Sequence, residues 1–292
     1  MVPQLALDEF EGYILDWDGV IAETSLNFQP IRDRFFGGRH ASLLEEMALL
    51  DEPERSQCRE AIEAEELRGA CAAQIVPGAS DLLGWLVRQG KKYAVLSRNS
   101  RSSLDRSAAN IGVTLPPVTV TREAPHVKPD PRALWDVCDL LDVRSQDCLV
   151  VGDYVYELLA ARRACMRAAL VQKNGPWASW ADAVYPRLTD FVRALGERET
   201  FVPWEYHGAE VGSEFVRAGD LTSLEGWLSL ERAAASGARE VRVPVGLLAE
   251  PMWRACPGLP AGLAGLSVKD AVQLWLGGRW PLLSVTEEQN DD

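Results

Sequence analysis

Two carboxylates stand two residues apart in Asp16-Trp17-Asp18-Gly19-Val20. While a chain stays extended, residues i and i+2 share a face, and Gly19 permits the turn that follows. One carboxylate can then attack an electrophile while the other handles a leaving-group proton. An ordinary acidic turn after a strand would carry the same letters. Ser97 is followed by Arg98 and Asn99: a hydroxyl there can bind a phosphate oxygen and the amides after it can form an anion nest, although a lone serine is more often a helix N-cap. Lys128 sits in His126-Val-Lys-Pro-Asp-Pro131 and is one of only five lysines in the chain. The proline after it holds it extended, placed to offset negative charge on a nucleophile and substrate or simply solvated in a loop. Gly152-Asp153-x-x-x-Glu157 adds two more acids. Hard oxygen ligands of this kind suit Mg²⁺, while Glu157 could equally be a charge in the first turn of a helix.

These groups need elements that bring them to one edge. Gly12–Asp16, Tyr93–Ser97 and Cys148–Asp153 are short apolar runs ending in polar residues, which read as buried parallel strands. Weaker runs lie at Pro117–Thr121 and Ala168–Val171, and helical segments at Gly78–Gln89, Ser102–Ile111, Pro131–Leu141 and Tyr156–Cys165. Strands alternating with helices of this length predict an α/β fold, a Rossmann-like parallel sheet with helices on both faces. In such sheets ligands bind beyond the carboxyl ends of the strands. Residues Ser25–Ile75 interrupt the alternation. Phe28, Ile31 and Phe35 share one helical face, and Asp51 and Pro53 open a long segment to Ala73, so the insert after the first strand reads as all helical.

The four motif groups occur in order, each at a predicted strand end or in the loop beyond it. As a set they resemble the haloacid dehalogenase-like (HAD) hydrolase superfamily, in its phosphoglycolate-phosphatase-like branch. The resemblance covers about Gly12–Val171, with Val76-Pro-Gly-Ala79 and Ala160-Ala-Arg-Arg-Ala-Cys165 as supporting phrases. It implies a hydrolase core over residues 1–24 and 76–195, with residues 25–75 as a small helical cap. By the same resemblance Asp16 is the nucleophile that forms an aspartyl-phosphate and Asp18 the general acid/base. Ser97 and Lys128 would hold the phosphoryl group. Mg²⁺ would be bound by the Asp16 carboxylate, the Asp18 main-chain carbonyl and Asp153, with Glu157, standing where the family usually has Asp, at most behind them. Arg98, Asn99 and His126, near the motifs, are expected to contact substrate. Haloacid dehalogenases lack the second aspartate, and phosphonoacetaldehyde hydrolases need a cap lysine that Ser25–Ile75 does not contain. The resemblance therefore implies a Mg²⁺-dependent phosphatase of a small phosphorylated metabolite. A phosphomutase of the β-phosphoglucomutase type, or a catalytically weak scaffold that binds a partner, are the alternatives. Arg32, Arg34, Arg39 and His40 concentrate positive charge in the insert, where they either meet an anionic leaving group or stand solvated.

Composition narrows the remaining classes. The 292 residues are 47% hydrophobic and carry a net charge of −13, so nucleic acid and anionic membrane are not the expected partners. Six scattered cysteines form no C-x-x-C pair, against a disulfide framework or a structural zinc. No signal peptide and no run of 18 apolar residues is found, giving a cytoplasmic expectation. Residues 196–292 read as an additional C-terminal α/β module with five of the ten tryptophans, expected to pack on the hydrolase core, with a homo-oligomer interface or a partner-binding module as the alternatives. Within it, Thr222–Gly237 and Ser267–Leu276 are expected helices, Glu240–Val245 an edge strand because of Pro244, and Thr286–Asp292 a frayed tail.

Overall fold

The apolar run after Glu11 forms a strand at the centre of the molecule's main sheet, where all four residues Gly12–Leu15 are buried. The structure, a computed structural model, describes residues 4–38, 43–164, 166–173, 178, 180–204, 215–217, 230, 240–243 and 284–287. It divides into two units, one of Pro3–Val202 and the other of residues 1–2 with 203–292.

In chain order the first unit contains β1 (Leu5–Ala6), β2 (Gly12–Leu15), β3 (Ala22–Glu23), α1 (Gln29–Phe36), α2 (Leu43–Ala48), α3 (Glu54–Ala72) and β4 (Gln74–Ile75). There follow α4 (Ala79–Arg88), β5 (Lys92–Leu96), α5 (Arg101–Ile111), β6 (Thr119–Val120), α6 (Pro131–Leu141) and β7 (Cys148–Gly152). The unit ends with α7 (Val155–Ala164), β8 (Arg167–Val171), β9 (Ala183–Tyr185), α8 (Leu188–Glu197) and β10 (Thr200–Phe201). Six parallel strands lie in the order β6-β5-β2-β7-β8-β9, with Ile14 opposite both Ala94 and Val150. The strand order reverses at β2, so the crevice beyond its carboxyl end is the natural ligand site of such a sheet.

Local chemistry explains the flanking helices. Asp130 caps α6 by accepting the Arg132 amide at 2.9 Å, and Pro131 fits the first turn because no partner for its nitrogen is needed there. Ala133, Leu134, Val137, Cys138 and Leu141 then bury one face at helical spacing. The main core joins Tyr13, Leu15, Trp17, Val95, Leu149 and Val151 from the sheet to Leu82, Leu86, Leu104 and Phe191 from the helices. The helices α1–α3 have their own cluster of Ile31, Phe36, Leu43, Cys58 and Ile62. Phe28 and Phe35, expected on the buried face, are only partly covered, and Phe36 takes the interior position instead. Two short antiparallel strands, β3 and β4, close the insert at its base.

Other differences have plain causes. The alternation, expected to fade after Val171, continues there: β9 adds a sixth strand, but it is a three-residue edge with Val184 41% exposed, so no apolar run marks it. Residues 196–202, assigned above to the C-terminal module, belong to the first unit, because α8 runs on to Glu197 and β10 pairs antiparallel with β1. In the second unit β11 (Phe215–Arg217), β12 (Glu240–Val243) and β13 (Ser284–Glu287) form a parallel sheet. The edge expected for Glu240–Val245 is incorrect: β12, Glu240–Val243, is the middle of the three strands, and Pro244 and Val245 lie outside the described residues. Thr286 and Glu287, expected in the frayed tail, pair with Arg242 and Val243. The expected helices at Thr222–Gly237 and Ser267–Leu276 lie outside the described residues except for buried Leu230, as do Arg39, His40 and four of the five C-terminal tryptophans; Trp204 is buried. Among the described residues no helix is long and apolar enough to cross a membrane.

Candidate active site

Asp16 follows β2 directly and is pinned there by its amide, which donates to the Val151 carbonyl at 2.9 Å. The chain then turns tightly: Ile21 and Ala22 both donate to the Trp17 carbonyl at 2.9 Å, and Gly19 donates to the Ala22 carbonyl at 2.8 Å. Gly19 has φ +73°, and a Cβ there would lie 1.9 Å from an Asp153 carboxylate oxygen. Gly152 is similarly constrained, since its Cβ would meet Glu157 Cγ at 2.2 Å. Both glycines are therefore required for the close approach of acidic side chains.

Lys128, only 2% exposed, bridges the two sides of the site. Its Nζ donates to Asp16 Oδ1 at 2.7 Å and pairs with Glu157 Oε1 at 2.6 Å. The loop that carries it is gripped through its carbonyls, by the Arg98 guanidinium at Lys128 and by Arg163 at Pro129, the latter at 2.9 Å. Arg98 also lies over the Tyr156 ring, 4.2 Å from its centroid. Glu157 stands in the first turn of α7 and accepts the Tyr154 amide at 3.2 Å through its other oxygen. Asp153, at the end of β7, pairs with Lys173 Nζ at 2.5 Å. Carboxylate oxygens of Asp16, Asp153 and Glu157 lie within 4.8 Å of one another. This set of hard oxygen donors around a small space fits a divalent cation such as Mg²⁺.

Asp18 stands apart from that trio. One of its oxygens accepts the Thr24 hydroxyl and the other the Asn99 side-chain amide, the latter at 2.6 Å. Burial, reinforced by the Asp16 charge, nevertheless pushes its carboxyl up to about 7 against the pull of those two bonds. Burial and the Asp16 charge likewise raise Asp153 to about 6, with Lys173 opposing. They raise Glu157 to about 7, with Lys128 opposing. The Lys128 ammonium is held above its ordinary value because Asp16 and Glu157 outweigh its burial.

The structure thus brings Asp16, Lys128, Asp153 and Glu157 together, with Asp18 beside them. Glu157, placed behind the metal ligands by the resemblance, stands in the carboxylate trio itself. Asn99 and Arg98, expected to meet substrate, hold Asp18 and the Lys128 loop. Ser97 is buried at the end of β5, its hydroxyl accepting the Asn99 amide at 3.1 Å within its own loop. His126 is paired with Asp136 at 2.7 Å on α6. Sequence reasoning missed Thr24, which follows Asp18 by six residues, and Lys173. The signal for Lys173 was a scarce lysine just past a predicted strand end, the position that marked the other groups.

A family model for haloacid dehalogenase-like hydrolases matches residues 10–164, more than half of the chain. The chain belongs to this family. Among curated relatives, a phosphoglycolate phosphatase of Cupriavidus necator is 32% identical over 41% of this chain and 54% of its own length. Phosphoglycolate phosphatase 1 of Pseudomonas aeruginosa is 30% identical over 33% of this chain and 36% of its own. The chain spans only about half the length of the first of these relatives and about a third of the second. A solved hydrolase from Pseudomonas syringae superimposes with a TM-score of 0.57, covering 64% of this chain and 98% of that one at 19% identity, a likeness of fold.

Proposed function

We propose that the protein is a Mg²⁺-dependent phosphatase that hydrolyses a small phosphomonoester through an aspartyl-phosphate on Asp16. The observation that carries this reading is the buried Lys128 ammonium held 2.7 Å from the Asp16 carboxylate, beside two further carboxylates, at the switch point of the sheet. Asp16, Asp153 and Glu157 would hold the metal, together with the Asp18 carbonyl. When bound, Mg²⁺ neutralises charge on the transferring phosphoryl oxygens.

The protein's own groups divide the remaining work. Asp16 is anchored by a backbone bond at a strand end, which fixes its carboxylate for in-line attack. Lys128 is locked by its loop and offers a cation to the equatorial oxygens without reorganisation. Asp18, with a carboxyl near 7, can carry a proton to the departing alkoxide and then take one from the water that releases phosphate. The helical insert α1–α3 serves as a small cap over this edge. Burial and the neighbouring Tyr156 raise the Tyr154 phenol, with Lys173 and then Arg32 of α1 opposing, so Arg32 is the insert's candidate cation for a substrate anion beside Asp153. Arg34 is instead engaged inside the insert by Gln57 at 3.0 Å and by the Phe35 ring. The names of the relatives favour a substrate of phosphoglycolate's kind, small and anionic beyond its phosphate.

The test is phosphate release from a panel of small phosphomonoesters with and without Mg²⁺. Release should require the metal and be stoichiometric with substrate loss. Isomerised phosphosugar without phosphate would point to a mutase, and metal-independent release would contradict the proposal.

A further inference from the structure

Glu66, on the insert helix α3, is a carboxylate buried to 3% exposure, and none of the roles above uses it. Burying a carboxylate is costly unless it is paired and hydrogen-bonded, and Glu66 is fully engaged. One oxygen accepts both the Ser100 amide at 3.2 Å and the Ser100 hydroxyl at 3.0 Å. The other oxygen accepts the Arg122 guanidinium. Its own carbonyl accepts the Ser103 hydroxyl at 3.1 Å.

These bonds converge on one point. Ser100 follows Asn99, whose side-chain amide donates to Asp18 at 2.6 Å. The Asn99 carbonyl in turn accepts the Arg122 backbone N–H at 3.1 Å. A single buried carboxylate therefore holds Asn99 from both sides, directly through Ser100 and indirectly through Arg122. Anchoring the insert does not require this. Farther along the same pair of helices, Asn110 donates to the Ala73 carbonyl at 2.8 Å and Arg106 to Cys71, and neither bond touches the site.

We propose that Glu66 is a positioning residue for the proton-handling step, fixing the Asn99 amide on Asp18 so that the seating of the insert and the orientation of the acid/base are set together. The proposal rests on the acid/base role given to Asp18 above.

The experiment uses the full chain and two substrates, a simple alkyl phosphate, whose alkoxide must leave with a proton, and p-nitrophenyl phosphate, whose phenolate leaves without one. The ratio kcat/KM reports events up to departure of the first product. Glu66→Gln keeps the size of the side chain and weakens the network. It should lower kcat/KM for the alkyl ester about tenfold, a fraction of what general acid catalysis supplies, and leave the nitrophenyl ester within about twofold. In an Asn99→Ala background the same change should add no further loss on the alkyl ester. Equal losses on both esters, or losses that add in the double variant, would overturn the positioning role. Ser100→Ala, which removes only the hydroxyl, should give the same selective loss to a smaller extent and decides the matter if Glu66→Gln does not fold. A wild type inactive on both esters, or an Asp16→Asn variant active on both, would overturn the phosphatase reading and this proposal with it, so the two failures are told apart.

Discussion

Lys128 is the cation that makes the cluster of acids tenable. With its ammonium on Asp16 and Glu157, and only 2% of the side chain exposed, its removal leaves those two carboxylates without their cation. Lys128→Met should lower stability by about 3–5 kcal/mol, as expected for breaking a buried ion pair, and turnover by at least about 10²-fold, the cost of losing one preorganised charge partner. Chemical denaturation and steady-state kinetics check both, and wild-type turnover in the variant would remove Lys128 from the chemistry. The residues of this site were legible to unequal degrees. Asp16, Asp18, Lys128 and Asp153 could be read because each stands just past an apolar run or, for Lys128, just before a proline, where the geometry is local. Lys173 carried a positional signal that was passed over, while Thr24 and Glu66 could not be read, because what each touches is decided by closure of the insert. Asn99 and Arg98 were found by their nearness to a motif, but which protein groups they brace, Asp18 and the Lys128 loop, could not be read locally for the same reason.

The central strands announced themselves because burial on both faces demands unbroken apolar runs, as in Gly12–Leu15 and Cys148–Gly152. Edges did not. Thr119–Val120 showed only as the weaker run Pro117–Thr121, while Ala183–Tyr185 and Thr200–Phe201 are two or three residues long, and pairing, more than pattern, makes them strands. The last of these decides where the first unit ends. Phe201 is buried, and its ring stacks on Phe10 with centroids 6.2 Å apart. A chain ending at Val202 should therefore fold and keep Mg²⁺-dependent phosphatase activity. One ending at Leu195 loses β10, its pairing with β1 and the Phe201 ring, and should be less stable by about 3–5 kcal/mol, the usual effect of removing a buried phenylalanine. Thermal melting of the two truncations separates them, and equal stability would contradict the assignment of β10 to this unit.

Across the whole molecule the raised acids couple stability to pH. Asp18 and Glu157 near 7 and Asp153 near 6 bind their protons more tightly when folded than in an unfolded chain, where carboxyls titrate near 4. Their contribution to stability is complete below about 4 and is lost as pH rises through about 7. With a chelator present, the melting temperature should fall between pH 6 and pH 8. Added Mg²⁺ should restore more stability at pH 8 than at pH 6, since the ion competes with those protons. A chelated protein whose melting temperature holds or rises over that interval would contradict the buried-acid arrangement. The most direct test of Asp16 as the nucleophile is to quench the full chain in acid during turnover of a phosphomonoester with Mg²⁺, and to locate the phosphate by peptide mass spectrometry. The expected result is phosphate on the peptide that carries Asp16, formed at the rate of the first turnover and absent from Asp16→Asn. Turnover with no phosphorylated Asp16 peptide, or undiminished turnover in Asp16→Asn, would contradict it.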